Sequence, residues 1–220
     1  MPPLILGWGP LEVHGTSDCY CDTVIVSCST VICPDGSEVK HDLIQTYYHF
    51  LGNDTATTIN RFAGKMTYHP GHGHLHIDNW ANFTLRISTS NTDATTWPIV
   101  GKSTKQAFCL INLGDCTTEF GYCIDTAGTI LGTNDVPNAG FGFYSGCGLD
   151  QGIYPGYLDI YDEGLNDPIS FPNICNGSYH VVSITDPDNN FLELNENNNW
   201  VEVPVNLALQ NNAIGNSSFS

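Results

Sequence analysis

The chain is short of positive charge. Four lysines and two arginines face 23 acidic residues in 220, a formal net charge of −17. Nucleic acid and anionic membrane surfaces are therefore poor partners, because both are bound through an excess of Lys and Arg. Cationic molecules would instead be drawn in, although an acidic surface also serves plain solubility. Helix signals are scarce: no apolar stripe of helical period persists beyond about two turns. No repeat of solenoid or propeller length occurs. No apolar run approaches the roughly 20 residues that cross a bilayer, so no membrane insertion is expected. No two cysteines are spaced C-x-x-C, which removes a zinc-ribbon reading. Met1-Pro2-Pro3-Leu4-Ile5-Leu6 lacks the basic start and apolar core of a signal peptide, so the expectation is a removed leader or a fragment with an artificial or internal Met.

What is present points to a β protein. Gly (22) and Pro (12) are abundant and only 13% of residues are charged, a composition that suits turns and half-buried strands better than helices. Thr23 to Cys28, Leu43 to Phe50, Trp80 to Ser88, Gln106 to Ile111, Tyr179 to Thr185 and Trp200 to Val205 are β-branched, aromatic or alternating runs of strand length. Pro34-Asp35-Gly36-Ser37 carries turn chemistry and predicts a hairpin between the first two. The stretch from Asn112 to Gly156 has little periodicity, and so long an irregular segment carries function or is pinned by disulfides. The nine cysteines (19, 21, 28, 33, 109, 116, 123, 147 and 175) read as a disulfide set with one thiol left over or one partner outside this chain. Asn-X-Ser/Thr sequons begin at Asn53, Asn82, Asn176 and Asn216 and, with the cysteines, favour a secreted or cell-surface setting. The expected fold is all-β, a loop-rich β-sandwich stapled by disulfides with little helix. One domain is expected over residues 1–208, followed by a disordered Asn/Ser-rich tail over 209–220.

Half of the eight histidines fall in Tyr68-His69-Pro70-Gly71-His72-Gly73-His74-Leu75-His76. Imidazole is the commonest transition-metal ligand. A strand sends residues i, i+2 and i+4 to one face, so an extended segment would bring His72, His74 and His76 together. A polar loop or a structural metal clip is the plainer alternative, and several metals and reactions fit the spacing alone.

Two later stretches narrow the choice: Lys105-Gln106-Ala107-Phe108-Cys109-Leu110, and Gln151-Gly152-Ile153-Tyr154-Pro155-Gly156-Tyr157-Leu158-Asp159-Ile160-Tyr161. After an H-x-x-H-x-H-x-H run, and followed by Asn176-Gly177-Ser178-Tyr179, Asp186-Pro187 and Glu193-Leu194-Asn195-Glu196-Asn197-Asn198-Asn199, they resemble the lysyl oxidase family of copper amine oxidases. The resemblance spans about Gly9 to Val205. It implies copper on His72, His74 and His76, and a lysine tyrosylquinone cofactor made by cross-linking Lys105 to Tyr161. It implies oxidation of primary amines, peptidyl lysine among them, by molecular oxygen, with release of an aldehyde, ammonia and hydrogen peroxide. Without the resemblance, Lys105 reads as a solvated lysine and Tyr161 as a core aromatic. A lysine amine ordinarily titrates near about 10.4, so nucleophilic attack on a ring needs a site that desolvates it. Asp159 is the candidate base, against an ordinary role as a turn or hydrogen-bond anchor. His69 matches a family histidine that is usually not a ligand and is expected as a neighbour of the site or a fourth ligand.

The resemblance also implies a local Cys109–Cys116 pair and a calcium site with Glu193, Asn195, Asn198 and Asn199 as oxygen ligands. The sequence departs from the family pattern at Asn82, where animal members carry a further histidine, and at Gly71, where they carry a cysteine. An Asn stands where a calcium-binding Asp is expected, and the chain begins near the family's second strand, which predicts a truncated N-terminus. Two readings from other classes compete. One is a copper- or zinc-binding β-sandwich module without turnover. The other is a cupin-like metal oxygenase, which needs a carboxylate ligand and gives Lys105 and Tyr161 no role.

Overall fold

The β-branched and aromatic runs become strands, joined by short turns and disulfide-pinned loops. The computed structural model describes residues 9–29, 32–52, 55–125, 127–139, 142–161, 165–172, 174–193, 195–208 and 217–219. In chain order the strands are β1 (Leu11–Cys21), β2 (Val24–Val26), β3 (Lys40–Gly52), β4 (Thr55–His69), β5 (His74–Ile77), β6 (Ala81–Arg86), β7 (Ile99–Lys102) and β8 (Gly114–Asp115). They continue as β9 (Cys123–Ile124), β10 (Ile130–Leu131), β11 (Asp150–Ile153), β12 (Tyr157–Leu158), β13 (Ile169–Phe171), β14 (Gly177–Thr185), β15 (Trp200–Leu207) and β16 (Ser217–Phe219). One five-residue helix, α1 (Cys116–Phe120), starts on Asp115, whose carboxylate accepts from the Thr117 and Thr118 amides, and stops at Gly121 with φ 81°. The fold is all-β, loop-rich and disulfide-stapled.

The chain gathers into two compact units. The first comprises Met1–Asp78, Cys109–Ile160 and Asn190–Leu194. Its antiparallel sheet runs β11-β1-β3-β4-β5, with β2 also on β1. Val13, Leu43, Met66 and Ile77 are wholly buried in this unit. Gly15 on β1 is closely covered, since a Cβ there would lie 2.8 Å from the end of the Leu149 side chain and 3.1 Å from the Met66 sulfur. The second unit comprises Asn79–Phe108, Tyr161–Asn189 and Asn195–Ser220. Its sheet runs β15-β14-β6-β7-β13-β16 over a core of Leu85, Ile169, Phe171, Tyr179 and Leu207.

Four disulfides join Cys19–Cys28, Cys21–Cys33, Cys109–Cys147 and Cys116–Cys123, and Cys175 is an exposed free thiol. The pairing corrects the expected Cys109–Cys116 link: α1 and its Gly121 turn bring Cys123 back to Cys116, while Cys109 meets the loop before β11. The expected hairpin around Pro34–Ser37 is also corrected. The turn closes a single Ile32–Glu38 bridge, while β2 and β3 both pair with β1, to which the first two disulfides tie the segment. Gln106 to Ile111 forms no strand. Its backbone is held by isolated bonds instead: the Leu110 amide donates to Gln151 Oε1, and the Leu110 and Gln106 carbonyls accept from the Gly152 and Ala81 amides.

Of the tail expected to be disordered, residues 209–216 and 220 lie outside the described residues, as do Asn53 and Asn216 of the sequons. Ser217–Phe219, however, pair antiparallel with β13, where a sheet edge offers unsatisfied donors and acceptors. Asn82 lies on β6 between β14 and β7, half-buried with its side-chain oxygen out of solvent, whereas Asn176 is exposed.

Candidate metal centre and a lysine–tyrosine pair

The histidine run is a hairpin. The His69 carbonyl accepts from the His72 amide at 3.1 Å and the Gly73 amide at 2.9 Å. Gly73, at φ +73°, takes the left-handed conformation that the reversal needs. The chain returns as β5, with His69 opposite His74 and Thr67 opposite His76. His74 and His76 thus share a face by strand alternation, as expected. His72 does not lie on the strand; it reaches the same point from the turn, which the extended reading missed.

His72, His74 and His76 form a group that could hold a metal ion, their nitrogens all within 4.8 Å of one another. His72 Nδ1 lies 3.4 Å from His76 Nε2, and His74 Nε2 lies 2.8 Å from His76 Nε2. Imidazoles that bind one ion at about 2.0–2.1 Å have nitrogens separated by about 2.8–3.5 Å, so the spacing fits a shared ion. His76 is buried, His74 half-buried and His72 exposed, which leaves one side of the group open. The group contains no carboxylate, and an all-imidazole donor set suits copper or zinc better than the 2-His-1-carboxylate arrangement of iron oxygenases.

His69 packs on this group, its ring 4.6 Å from His72 and stacked 5.1 Å from His76, with Nδ1 buried and lacking a hydrogen-bond partner. It stands outside the set of mutually close nitrogens and remains a neighbour. Around the hairpin, the Thr67 hydroxyl donates to Asp78 Oδ1 at 2.7 Å and Lys40 Nζ to Asp78 Oδ2 at 2.6 Å. Cys19, Cys28 and His41 form a second close group, but the two sulfurs are joined in a disulfide and offer no thiolate.

In the other unit Lys105 and Tyr161 come together from distant parts of the chain. Lys105 Nζ lies over the Tyr161 ring, 4.9 Å from its centroid, and 4.7 Å from that of Phe108. Phe108 is buried and meets Tyr161 edge to face at 4.8 Å and Phe83 at 6.0 Å. Lys105 also donates to the Leu165 carbonyl. The Lys105 amide donates to Ser103 Oγ at 3.3 Å, and that hydroxyl donates to the Asp167 carbonyl at 3.0 Å. Both side chains are half-buried.

The remaining expectations fare differently. Asp159, in the first unit, is half-buried with one carboxylate oxygen out of solvent. Glu193 falls in the first unit and Asn195, Asn198 and Asn199 in the second, with Leu194 outside the described residues. Asn195 Oδ1 accepts from the Asn197 amide at 3.1 Å, as an Asn-rich turn would have it. Among the described residues, no close group of histidine, cysteine and carboxylate ligands includes Glu193.

Sequence reasoning missed two features. One is Gln151, wholly buried, whose amide bonds the Leu75 carbonyl of the histidine strand and the Leu110 amide beside its open edge. It opens the same motif that ends at Tyr161, so its signal was a polar residue in a named motif with no assigned task. The other is Glu12, which accepts from the Tyr48 hydroxyl at 2.8 Å and the Tyr154 hydroxyl at 3.1 Å. Burial, reinforced by Glu12, raises both phenols above their ordinary range and keeps them protonated donors.

Compared with protein-family models and with curated proteins, the chain matches none. Among the described residues no helix is long and apolar enough to cross a membrane, and the disulfides suit an oxidising compartment.

Proposed function

We propose that the chain is a secreted or cell-surface, copper-dependent amine oxidase of the lysyl oxidase kind, which makes its own lysine tyrosylquinone from Lys105 and Tyr161. The contact between the Lys105 amine and the Tyr161 ring carries this reading. An ordinary cation–π pair accounts for the contact alone; the ordered motifs around both residues, and three imidazoles able to share an ion, favour the cofactor. The reaction takes a primary amine, dioxygen and water to an aldehyde, ammonia and hydrogen peroxide. Copper, when bound, supplies one-electron chemistry with dioxygen.

The chain's own residues do the rest. His72, His74 and His76 hold the ion. Phe108 fixes the angle between the amine of Lys105 and the ring of Tyr161, which is positioning for attack on that ring. Asp159 is the candidate acceptor for the α-proton of the substrate. Glu193, Asn195, Asn198 and Asn199 stay candidate calcium oxygens. The net charge of −17 favours encounter with cationic amines, lysine side chains of proteins among them.

The test is mass spectrometry of protein matured aerobically with copper. A single peptide joining Lys105 to Tyr161, absorbing in the visible, and peroxide release with simple amines are expected. Two separate, unmodified peptides and no peroxide overturn the reading. A second reading, a metal-binding module without turnover, is favoured by the several contacts that already satisfy the Lys105 ammonium. The same experiment separates the two.

A further inference from the structure

The strand carrying His74 and His76 is the last in its sheet, and its free edge is closed without a ladder, by the loop before β11 and a side chain on β11. On the β4 side, ladder pairing holds His74 and His76. On the open side Leu75, between them, has both backbone groups taken: its amide donates to the Cys147 carbonyl at 3.0 Å, and its carbonyl accepts from Gln151 Nε2 at 3.0 Å. The same Nε2 donates to the Gly148 carbonyl at 2.9 Å, and Oε1 accepts from the Leu110 amide at 2.9 Å. The Cys109–Cys147 disulfide joins the two flanking segments, and the Gly152 amide returns to the Leu110 carbonyl at 3.0 Å.

We infer that Gln151, braced by the Cys109–Cys147 disulfide, is a positioning residue of the metal centre: it fixes the backbone between two ligands and so sets where their imidazoles meet. The inference rests on the histidine triad binding a metal. The residue type follows from the task. Only an amide offers two donors for the Leu75 and Gly148 carbonyls and an acceptor for the Leu110 amide from one buried side chain. Glutamate keeps the acceptor and loses both donors. Aliphatic side chains leave the buried Leu75 carbonyl and Leu110 amide without partners and release the Gly148 carbonyl. Groups that orient metal ligands from behind tune affinity, and their loss costs about 10–100-fold.

The experiment titrates metal-free protein with Zn(II) against a chromophoric chelator and records the Cu(II) EPR spectrum. Gln151→Glu is compared with wild type and with Val182→Ala, a core truncation in the other unit that lowers stability. Gln151→Glu should bind Zn(II) about 10–100-fold more weakly and shift the EPR parameters, while Val182→Ala keeps wild-type affinity. If Gln151→Glu does not fold, Cys109→Ala/Cys147→Ala loosens the same brace and should weaken binding in the same direction. Wild-type affinity in the variant that folds overturns the inference and leaves the metal reading standing. Failure of the wild type to bind either metal overturns both.

Discussion

Replacing Phe108 by leucine tests the lysine–tyrosine pair where its geometry is most exposed to error. Leucine keeps most of the apolar volume at a position only 2% exposed, so the chief losses are ring contacts. Two aromatic pairs disappear, with Tyr161 at 4.8 Å and Phe83 at 6.0 Å, at about 0.5–1.5 kcal/mol each. The Lys105 ammonium, half-exposed, loses one ring face at 4.7 Å, about 0.5–1 kcal/mol. Together these give roughly 1.5–4 kcal/mol, within the typical stability of a folded domain, so the variant stays folded with a Tm lowered by about 2–4 °C per kcal/mol. Phe108 is not a metal ligand, so the Zn(II) affinity should not change. The amine and ring lose their common support, and a misplacement of about 1 Å can slow a positioned reaction by about 100-fold. Urea unfolding would measure the stability loss. A time course of the cross-linked peptide after copper and air are supplied would measure the rate. Wild-type cross-linking in a variant destabilised by less than about 1 kcal/mol would show that the Phe108 contacts position nothing.

Four further outcomes are expected. Lys105→Ala should keep metal affinity yet give neither visible chromophore nor peroxide; turnover in that variant excludes the cross-link as cofactor. His72→Ala, at an exposed turn position, should change stability by no more than about 0.5 kcal/mol while abolishing tight metal binding, read by chelator competition and urea unfolding. Cys109→Ala/Cys147→Ala opens a loop with a sequence separation of 38, and chain entropy puts the cost at roughly 4 kcal/mol, measurable by urea unfolding of the metal-free protein. Hydrogen bonds from Thr133 and Thr118 depress the Asp115 carboxyl to about 2, so its charged form stabilises the fold above the ordinary carboxylate range. The stability gap between wild type and Asp115→Asn should be fully present at neutral pH and close as pH falls from about 4 towards 2. A gap that persists at pH 2 contradicts that origin.

The strands β6, β14 and β15 were legible because alternation and β-branching are local signals that sheet packing then used as they stood. Phe108 and its neighbours misled because a buried apolar run reads as a strand whether or not a ladder partner exists. Here the Gln151 side chain and the Gly152 amide took the Leu110 backbone groups that a partner strand would have satisfied. The odd thiol was legible by counting, whereas the partners of Cys109 and Cys116 were not, since connectivity depends on where loops return.

By itself, then, the sequence determined the all-β class, the disulfide-rich character, the acidic surface, and the residue types able to hold a metal. All of these follow from composition or from patterns within a few residues of one another. Only the tertiary structure decided that His72 joins His74 and His76 from a turn, that Lys105 lies over Tyr161, and that Gln151 closes the edge of the histidine strand. Each depends on register and loop return across tens of residues, where the energy lies in the packing of segments against one another and in no local preference of the chain.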